Sequence, residues 1–175
     1  VKRIVKRVQE KGNVHQHLDL IAGLPYEDYE RFAQSFRDVY ALHPEQLQLG
    51  FLKVLKGSYM HEKTEDYQLL YQDRPPFEVL STKWLSYDDV IRLKGVEEMV
   101  EVYYNSGQFV NTLRLLEEEF TDTFALYENL SRYYEENGLH MINHSRITRY
   151  EVLFAFIKAC VEKNVENYRQ MLILD

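Results

Sequence analysis

The sequence predicts an α/β half over residues 1–85 and an all-helical half over residues 86–175. In the first half, two short apolar stretches flank one amphipathic helix, and this order of strand, turn, helix and strand builds parallel sheets. In the second half, apolar residues recur at helical spacing from Ser86 to the end of the sequence. The boundary between the two patterns falls near residue 85, without a low-complexity linker.

The composition is that of a protein able to bury a substantial core. Hydrophobic residues make up 45% of the chain, which contains 14 Tyr and 9 Phe. The net charge of -7 argues against duplex nucleic acid as a partner, because neutralising phosphates requires a basic face. No apolar run approaches the ~18 residues of a membrane span, and no secretory signal is visible, so we expect a cytoplasmic protein.

A helical segment over residues 1–11 opens the chain, and Gly12-Asn13 is a common signal for the end of a helix. Its apolar positions begin at the first residue, and no capping residue precedes them. We interpret this beginning as a cut, and we expect the sequence to be the C-terminal piece of a larger protein.

Residues 14–22 predict the first strand. Alternation of side chains gives this strand one polar face, made up of His15, His17, Asp19 and Ile21. The opposite face is more apolar and suits packing under helices. The polar face suits the lining of a cavity better than an ordinary packed interface.

The next helix is predicted over residues 27–42, because its apolar residues follow 3.6-residue spacing. Pro44 follows this helix, and residues 46–55 predict the second strand. The helical crossover is long enough for the two strands to pair in parallel. Residues 67–71 and 77–82 predict two further short strands that form an edge hairpin.

The helical half begins at Ser86, where Asp89 stands three residues later, as in a capping box. The first helix ends at Asn105-Ser106-Gly107. Apolar spacing then predicts four further helical segments, around residues 109–120, 124–138, 145–163 and 168–172.

Asp19 is the first candidate for ligand binding. A carboxylate on a rigid strand can accept two hydrogen bonds from a ribose diol, and the turn at Gly23 would let a ligand approach the backbone. The alternative is that Asp19 satisfies turn amides or pairs with Lys53. The residues alone leave both interpretations open.

Two segments carry a family resemblance. Residues 19–28 (DLIAGLPYED) and 49–58 (LGFLKVLKGS) resemble the DLI-x-GLPGE and LK-x-LPGT segments of radical S-adenosylmethionine proteins. The nearest group has an N-terminal cobalamin-binding domain and is often named after the anaerobic magnesium-protoporphyrin IX monomethyl ester oxidative cyclase. The stretch from Thr82 resembles the uncharacterised helical C-terminal domain of one branch of that group. Tyr26 replaces the usual Gly, and Lys56 replaces the usual Pro.

The resemblance implies a fold, cofactors and site residues. It implies that the strands are the last ones of a partial TIM-like radical S-adenosylmethionine barrel, followed by an all-helical accessory domain. In such enzymes three cysteines hold a 4Fe–4S cluster that cleaves S-adenosylmethionine to a 5′-deoxyadenosyl radical. Carried over by position, the cofactor-binding residues are Asp19 beside the ribose, Gly23 in the turn, and Leu52 and Lys53 along the adenine.

The resemblance also implies that the chain acts within a larger enzyme. Cys160 is the only cysteine, and a cluster needs several thiolates. We therefore expect no catalytic residue, no metal site and no tightly bound cofactor in these 175 residues, which would be inactive alone. The expected partners are the rest of the same polypeptide, including the cobalamin-binding domain, and a second copy paired through open sheet edges.

Other chemical groupings have weaker support. His15 and His17 share a face with Asp19 and could bind a metal, or they could line a polar cavity. His140 and His144 share a helix face only if that helix extends back past Ser145, and a loop is the favoured interpretation.

Single residues also leave alternatives. Cys160 is interpreted as a small core residue, and Trp84 as a plug at the domain junction or as a pocket wall. The main rival to the enzyme hypothesis is a non-catalytic, helix-rich interaction module.

Overall fold

The computed structural model describes residues 2–175, so Val1 of the first predicted helix lies outside the described residues. The chain divides into two compact units, one ending at Glu97 and the other beginning at Glu98. The elements of the first unit alternate between helices and short strands: α1 Lys2–Gln9, β1 His17–Ala22, α2 Tyr29–Tyr40, β2 Gln46–Phe51, α3 Tyr59–Glu62, β3 Leu70–Tyr71 and β4 Val79–Ser81. Helix α4, Tyr87–Met99, carries the division between the units.

Strands β1 and β2 pair in parallel, as predicted. Their register runs from His17 opposite Gln46 to Ala22 opposite Phe51. Helix α2 connects them, and its N-terminus is capped by Asp28, whose carboxylate accepts a hydrogen bond from the Arg31 N–H at 2.9 Å. The apolar stripe of this helix is buried at Phe32, Ala33, Phe36 and Tyr40.

The predicted barrel is wrong. The described residues form one two-stranded parallel sheet and one two-stranded antiparallel sheet, and about half of the chain (53%) is helical. The protein is a small mixed α/β structure. A TIM-like barrel needs a closed ring of parallel strands, each paired on both sides, whereas β1 pairs only with β2 among the described strands. The quoted motifs specify a strand, a turn and a helix, which are local features, and they do not specify closure of a sheet.

The predicted hairpin is present as β3 and β4, which pair antiparallel with an irregular register. Strand β4 also joins the segment after β2, because the Val79 N–H donates to the Leu52 carbonyl at 2.8 Å. The Val54 N–H donates to the Phe77 carbonyl at 2.9 Å. These bonds close a small core made up of Leu52, Val54, Leu69 and Val79.

The capping box at the start of α4 is confirmed. The Ser86 hydroxyl accepts from the Asp89 N–H at 3.1 Å, and the Asp89 carboxylate accepts from the Ser86 N–H at 3.2 Å. The helix continues beyond Met99 as a π-helix over Val100–Asn105, in which Tyr103 is fully buried.

The second unit is helical throughout its described elements: α5 Val110–Leu116, α6 Thr123–Glu136, α7 Arg146–Cys160 and α8 Val165–Leu174. Asp122 and Ser145 cap α6 and α7, as a short polar side chain at a helix N-terminus does. Helix α8 packs on α5 and α7. None of the helices among residues 2–175 is long and apolar enough to cross a membrane.

Candidate functional site

The polar face of β1 is exposed. His15, His17, Asp19 and Ile21 all lie on the surface of the first unit, and the side chain of Asp19 is 65% exposed. Its carboxylate contacts the Nε2 atom of His17 at 3.2 Å, and not Lys53. A polar contact between two exposed side chains contributes little stability, so Asp19 is an accessible acceptor and not a structural anchor.

The placement of the side chains on this face of β1 does not support the hypothesis of a metal site. Within residues 2–175, no group of three or more His, Cys, Asp and Glu side chains is placed so that it could hold a metal ion. His17 and Asp19 are adjacent, but a third ligand does not join them. The pair alone can accept and donate hydrogen bonds at the surface.

Gly23 lies in the turn after β1 and is buried, with a φ of 86°. A Cβ atom on this residue would lie 2.8 Å from Cγ1 of Val79 and 3.6 Å from Cβ of Leu52. The glycine is therefore required both by its left-handed backbone and by the close approach of β4. This packing explains the Gly without a ligand, and its role in cofactor binding stays a prediction.

The other two predicted cofactor residues, Leu52 and Lys53, differ in solvent exposure. Leu52 is buried in the small core of the first unit. Lys53 is exposed, and its backbone bridges to that of Glu78. Only the Lys53 side chain and the local backbone are therefore available to a ligand.

Tyr26, which replaces the usual Gly of the resembled motif, keeps a backbone conformation that favours glycine. Its φ of 67° lies in the left-handed region that favours glycine, the residue usual at this position of the motif. The Tyr26 ring lies 4.7 Å from that of Trp84 and 6.0 Å from that of Tyr67, measured between centroids. We name Tyr26, Tyr67 and Trp84 the aromatic cluster. Sequence reasoning missed it, because these residues are distant along the chain and the signal in the sequence was a Tyr in place of the usual Gly at position 26.

In the second unit, His140 is held by two acceptors. Its Nδ1 atom lies 2.6 Å from the Glu98 carboxylate, and its Nε2 atom lies 2.9 Å from the Ser131 carbonyl. Both ring nitrogens therefore have a hydrogen-bond partner within the second unit. His144 bonds to the Leu139 carbonyl at 2.8 Å. The loop interpretation of both histidines is confirmed, and their bonds fasten the connection between α6 and α7.

Cys160 is not the core residue that its neighbours in sequence suggested. It is exposed at the end of α7. Partial burial of the thiol group raises its pKa to about 11, so the thiol stays protonated at neutral pH and is a poor nucleophile. One protonated thiol does not fit an iron–sulfur cluster, which takes several thiolates.

Tyr103, Tyr134 and Tyr168 are among the buried tyrosines of the helical unit. The hydroxyls of Tyr103 and Tyr134 form a hydrogen bond of 2.6 Å, and the Tyr168 hydroxyl donates to the Glu119 carboxylate at 3.1 Å. Burial raises the pKa of all three phenols above the ordinary value of 10.0. The fold therefore holds these groups in their neutral form.

These pKa shifts predict loss of stability at alkaline pH. The contribution of each neutral phenol is fully present below about pH 10, and it is lost as the pH rises because the unfolded chain then releases the proton first. We expect the free energy of unfolding to fall above about pH 10, by up to ~1.4 kcal/mol per pH unit for each such tyrosine. Urea unfolding from pH 8 to 11 checks this. Tyr103→Phe should reduce the slope, whereas Tyr87→Phe, at an exposed tyrosine, should not; equal slopes would contradict the prediction.

Together, the fold and its surface define a small mixed α/β protein with an exposed acid on a parallel strand pair and a helical C-terminal unit. Residues 65–175 match the family model described as Protein of unknown function (DUF4080), and the chain belongs to that family. No curated protein matches the chain. The matched residues include Tyr67, Trp84 and the whole second unit, whereas Asp19 and Tyr26 precede them.

Proposed function

We propose that this chain acts as part of a radical S-adenosylmethionine enzyme and contributes to the binding of that cofactor. The resemblance of residues 19–28 and 49–58 to two cofactor-pocket segments supports this function. The observation that carries it is the parallel pairing of β1 with β2, with Asp19 exposed on β1. Ligands of open parallel sheets bind beyond the carboxyl ends of the strands, where Gly23 and Leu52 follow β1 and β2.

The residues present fit one of the two implied groups. The Asp19 carboxylate is exposed and has acceptor capacity for the two hydroxyls of a ribose, and the exposed Lys53 stands beyond the neighbouring strand. Bound there, S-adenosylmethionine would supply the sulfonium carbon–sulfur bond that such enzymes cleave. The 4Fe–4S cluster does not fit, because Cys160 is the only thiol, so the cluster would need cysteines from outside these 175 residues.

Partners and location belong to the same proposal. The helical unit would act as an accessory domain of a cytoplasmic enzyme of the cyclase-like group, beside the rest of its own polypeptide and a cobalamin-binding domain. Among the described strands, β1 is paired on one side only, with β2. Its open edge suits a further strand, from that polypeptide or from a second copy of the chain.

The test uses the intact protein, purified without oxygen and reconstituted with iron and sulfide. The expected results are a visible cluster band that dithionite bleaches and formation of 5′-deoxyadenosine from S-adenosylmethionine. Absence of both, in a protein that unfolds cooperatively, would overturn the proposed function and favour a non-catalytic interaction module.

Asp19→Asn in the intact protein tests the role of the acid. A hydrogen bond to a charged group is worth about 1.5–3 kcal/mol, so the Kd for S-adenosylmethionine should rise by about tenfold or more. Equilibrium dialysis measures this change. The control is Glu30→Gln, which neutralises an exposed acid that lies on α2 and not on β1. It should leave the Kd unaltered. An unchanged Kd in Asp19→Asn would refute the assignment.

A further inference from the structure

The aromatic cluster of Tyr26, Tyr67 and Trp84 is a site that neither the resemblance nor the family assigns. We infer that it binds a small onium cation, a sulfonium or a methylated ammonium group, against its rings. All three residues belong to the first unit, and Tyr26 is the most exposed of them at 63%. Trp and Tyr have the electron-rich faces that attract cations.

The three rings pack against one another in tilted and edge-to-face arrangements and do not form a parallel stack. Their planes are inclined to one another by 51° for Tyr26 and Trp84, 58° for Tyr67 and Trp84, and 71° for Tyr26 and Tyr67. Their centroids lie between 4.7 and 6.0 Å apart. Because the rings pack on one another, the place for a cation is over the ring of Tyr26, the most exposed of the three, within the ~6 Å of its centroid that the attraction requires.

The backbone of Tyr26 points to a function for its ring. A non-glycine residue in the left-handed region costs roughly 1–2 kcal/mol, and the φ of 67° lies in that region. Because the side chain is mostly in water, burial does not offset this cost. Strained backbone occurs at ligand sites, and Tyr26 is the one of six described non-glycine residues with a positive φ whose ring belongs to the aromatic cluster.

The position agrees with a ligand site. Tyr26 follows β1, and Tyr59 follows β2, so both lie after the carboxyl ends of the parallel strands, where open α/β sheets bind ligands. The Tyr59 and Tyr67 hydroxyls contact each other at 3.4 Å and give the cluster a polar rim. A rim of this kind suits an onium compound, which carries polar groups beside its methylated centre.

The sign of the surrounding charge favours a cation. Glu27 and Asp28 follow Tyr26 directly, and Glu65 and Asp66 come immediately before Tyr67. Lys63 pairs with Asp66 at 2.7 Å and so neutralises one of these acids. Lys83 is adjacent to Trp84 in the sequence. The segments that carry the three rings therefore contain more acids than bases, like the chain as a whole, whose net charge is -7.

The onium group could belong to S-adenosylmethionine or to a methylated amine, and a fluorescence titration separates the two sources. Trp84 is the only tryptophan in the chain, so its emission reports directly on the cluster. The probes are S-adenosylmethionine, the thioether S-adenosylhomocysteine, which lacks the sulfonium charge, choline, and the tert-butyl isostere of choline, which has no charge. The S-adenosylmethionine arm rests on the proposed function, and the choline arm does not.

We expect at least one charged probe to change Trp84 emission in a saturable manner and to bind about tenfold more tightly than its neutral counterpart. Choline binding without S-adenosylmethionine binding would uphold the inference and count against the proposed function. Binding of S-adenosylmethionine alone would uphold it with a sulfonium ligand. Equal affinity for charged and neutral probes, or no binding of either cation, would overturn it.

Substitutions at Tyr26 complete the test. Tyr26→Gly removes the ring and relieves the backbone, so it should fold while losing about tenfold in affinity. Tyr26→Phe keeps a ring and should bind within a few-fold of the original protein. Tyr87→Ala, at an exposed tyrosine outside the cluster, should bind normally. Full affinity in Tyr26→Gly would contradict the inference.

Discussion

Gly23→Ala should lower the free energy of unfolding of the first unit by about 2–5 kcal/mol. Part of this loss, roughly 1–2 kcal/mol, comes from a side chain at a φ of 86°. The rest comes from the new Cβ atom, which would lie 2.8 Å from Cγ1 of the buried Val79 and would force the turn and β4 apart. Urea unfolding followed by Trp84 fluorescence measures the change.

Gly57→Ala is the matched control for this substitution. Gly57 has a similar φ of 76°, but a Cβ atom there would have nothing within 4 Å. It should therefore lose only the conformational part, roughly 1–2 kcal/mol. Equal losses in the two variants would show that the approach of Val79 to Gly23 does not matter. The double variant Gly23→Ala with Val79→Ala should lose less than the sum of the single variants, because the second change removes the clashing methyl group.

Leu47→Ala should destabilise the protein by about 2–5 kcal/mol, because it removes a fully buried side chain from β2. The lost contacts and the remaining cavity both contribute to this cost. Leu55→Ala makes the same chemical change at a position that is 52% exposed. It should change the free energy of unfolding by no more than ~0.5 kcal/mol.

This pair of leucines tests the packing of the strand–helix–strand unit. Leu47 lies within the parallel register and is buried, whereas Leu55 follows the strand. Denaturant midpoints and slopes from circular dichroism give both free energies. A small loss in Leu47→Ala, or a loss of the same size in Leu55→Ala, would be inconsistent with the buried face of β2 described above.

The predictions that succeeded concern local structure. Helix α2 follows from its apolar stripe, and α4 begins at the reciprocal pair of Ser86 and Asp89. The parallel pairing of β1 and β2 follows from the crossover helix between them. Each of these features depends on residues close to one another in the sequence, so periodicity and capping are sufficient to predict it.

The predictions that failed depended on distant partners. The barrel required strands that β1 and β2 do not pair with among the described residues, and no local pattern reports on sheet closure. Cys160 follows Phe156 and Ile157, yet it is exposed, because α7 ends there and its last turn does not continue the buried stripe. For Asp19, the alternative of a pair with Lys53 was left open by the residues, and the structure has its carboxylate contact His17 on the same strand.

The sequence by itself determined the order of the main helices and strands, the capping box at Ser86 and the polar face of β1. Only the tertiary structure decided that Val79 fills the space beside Gly23, and that Tyr67 and Trp84 meet the ring of Tyr26. The physical reason is the range of the interactions. Hydrogen bonds in helices and turns join near neighbours, whereas side-chain packing joins residues that only the folded chain brings together.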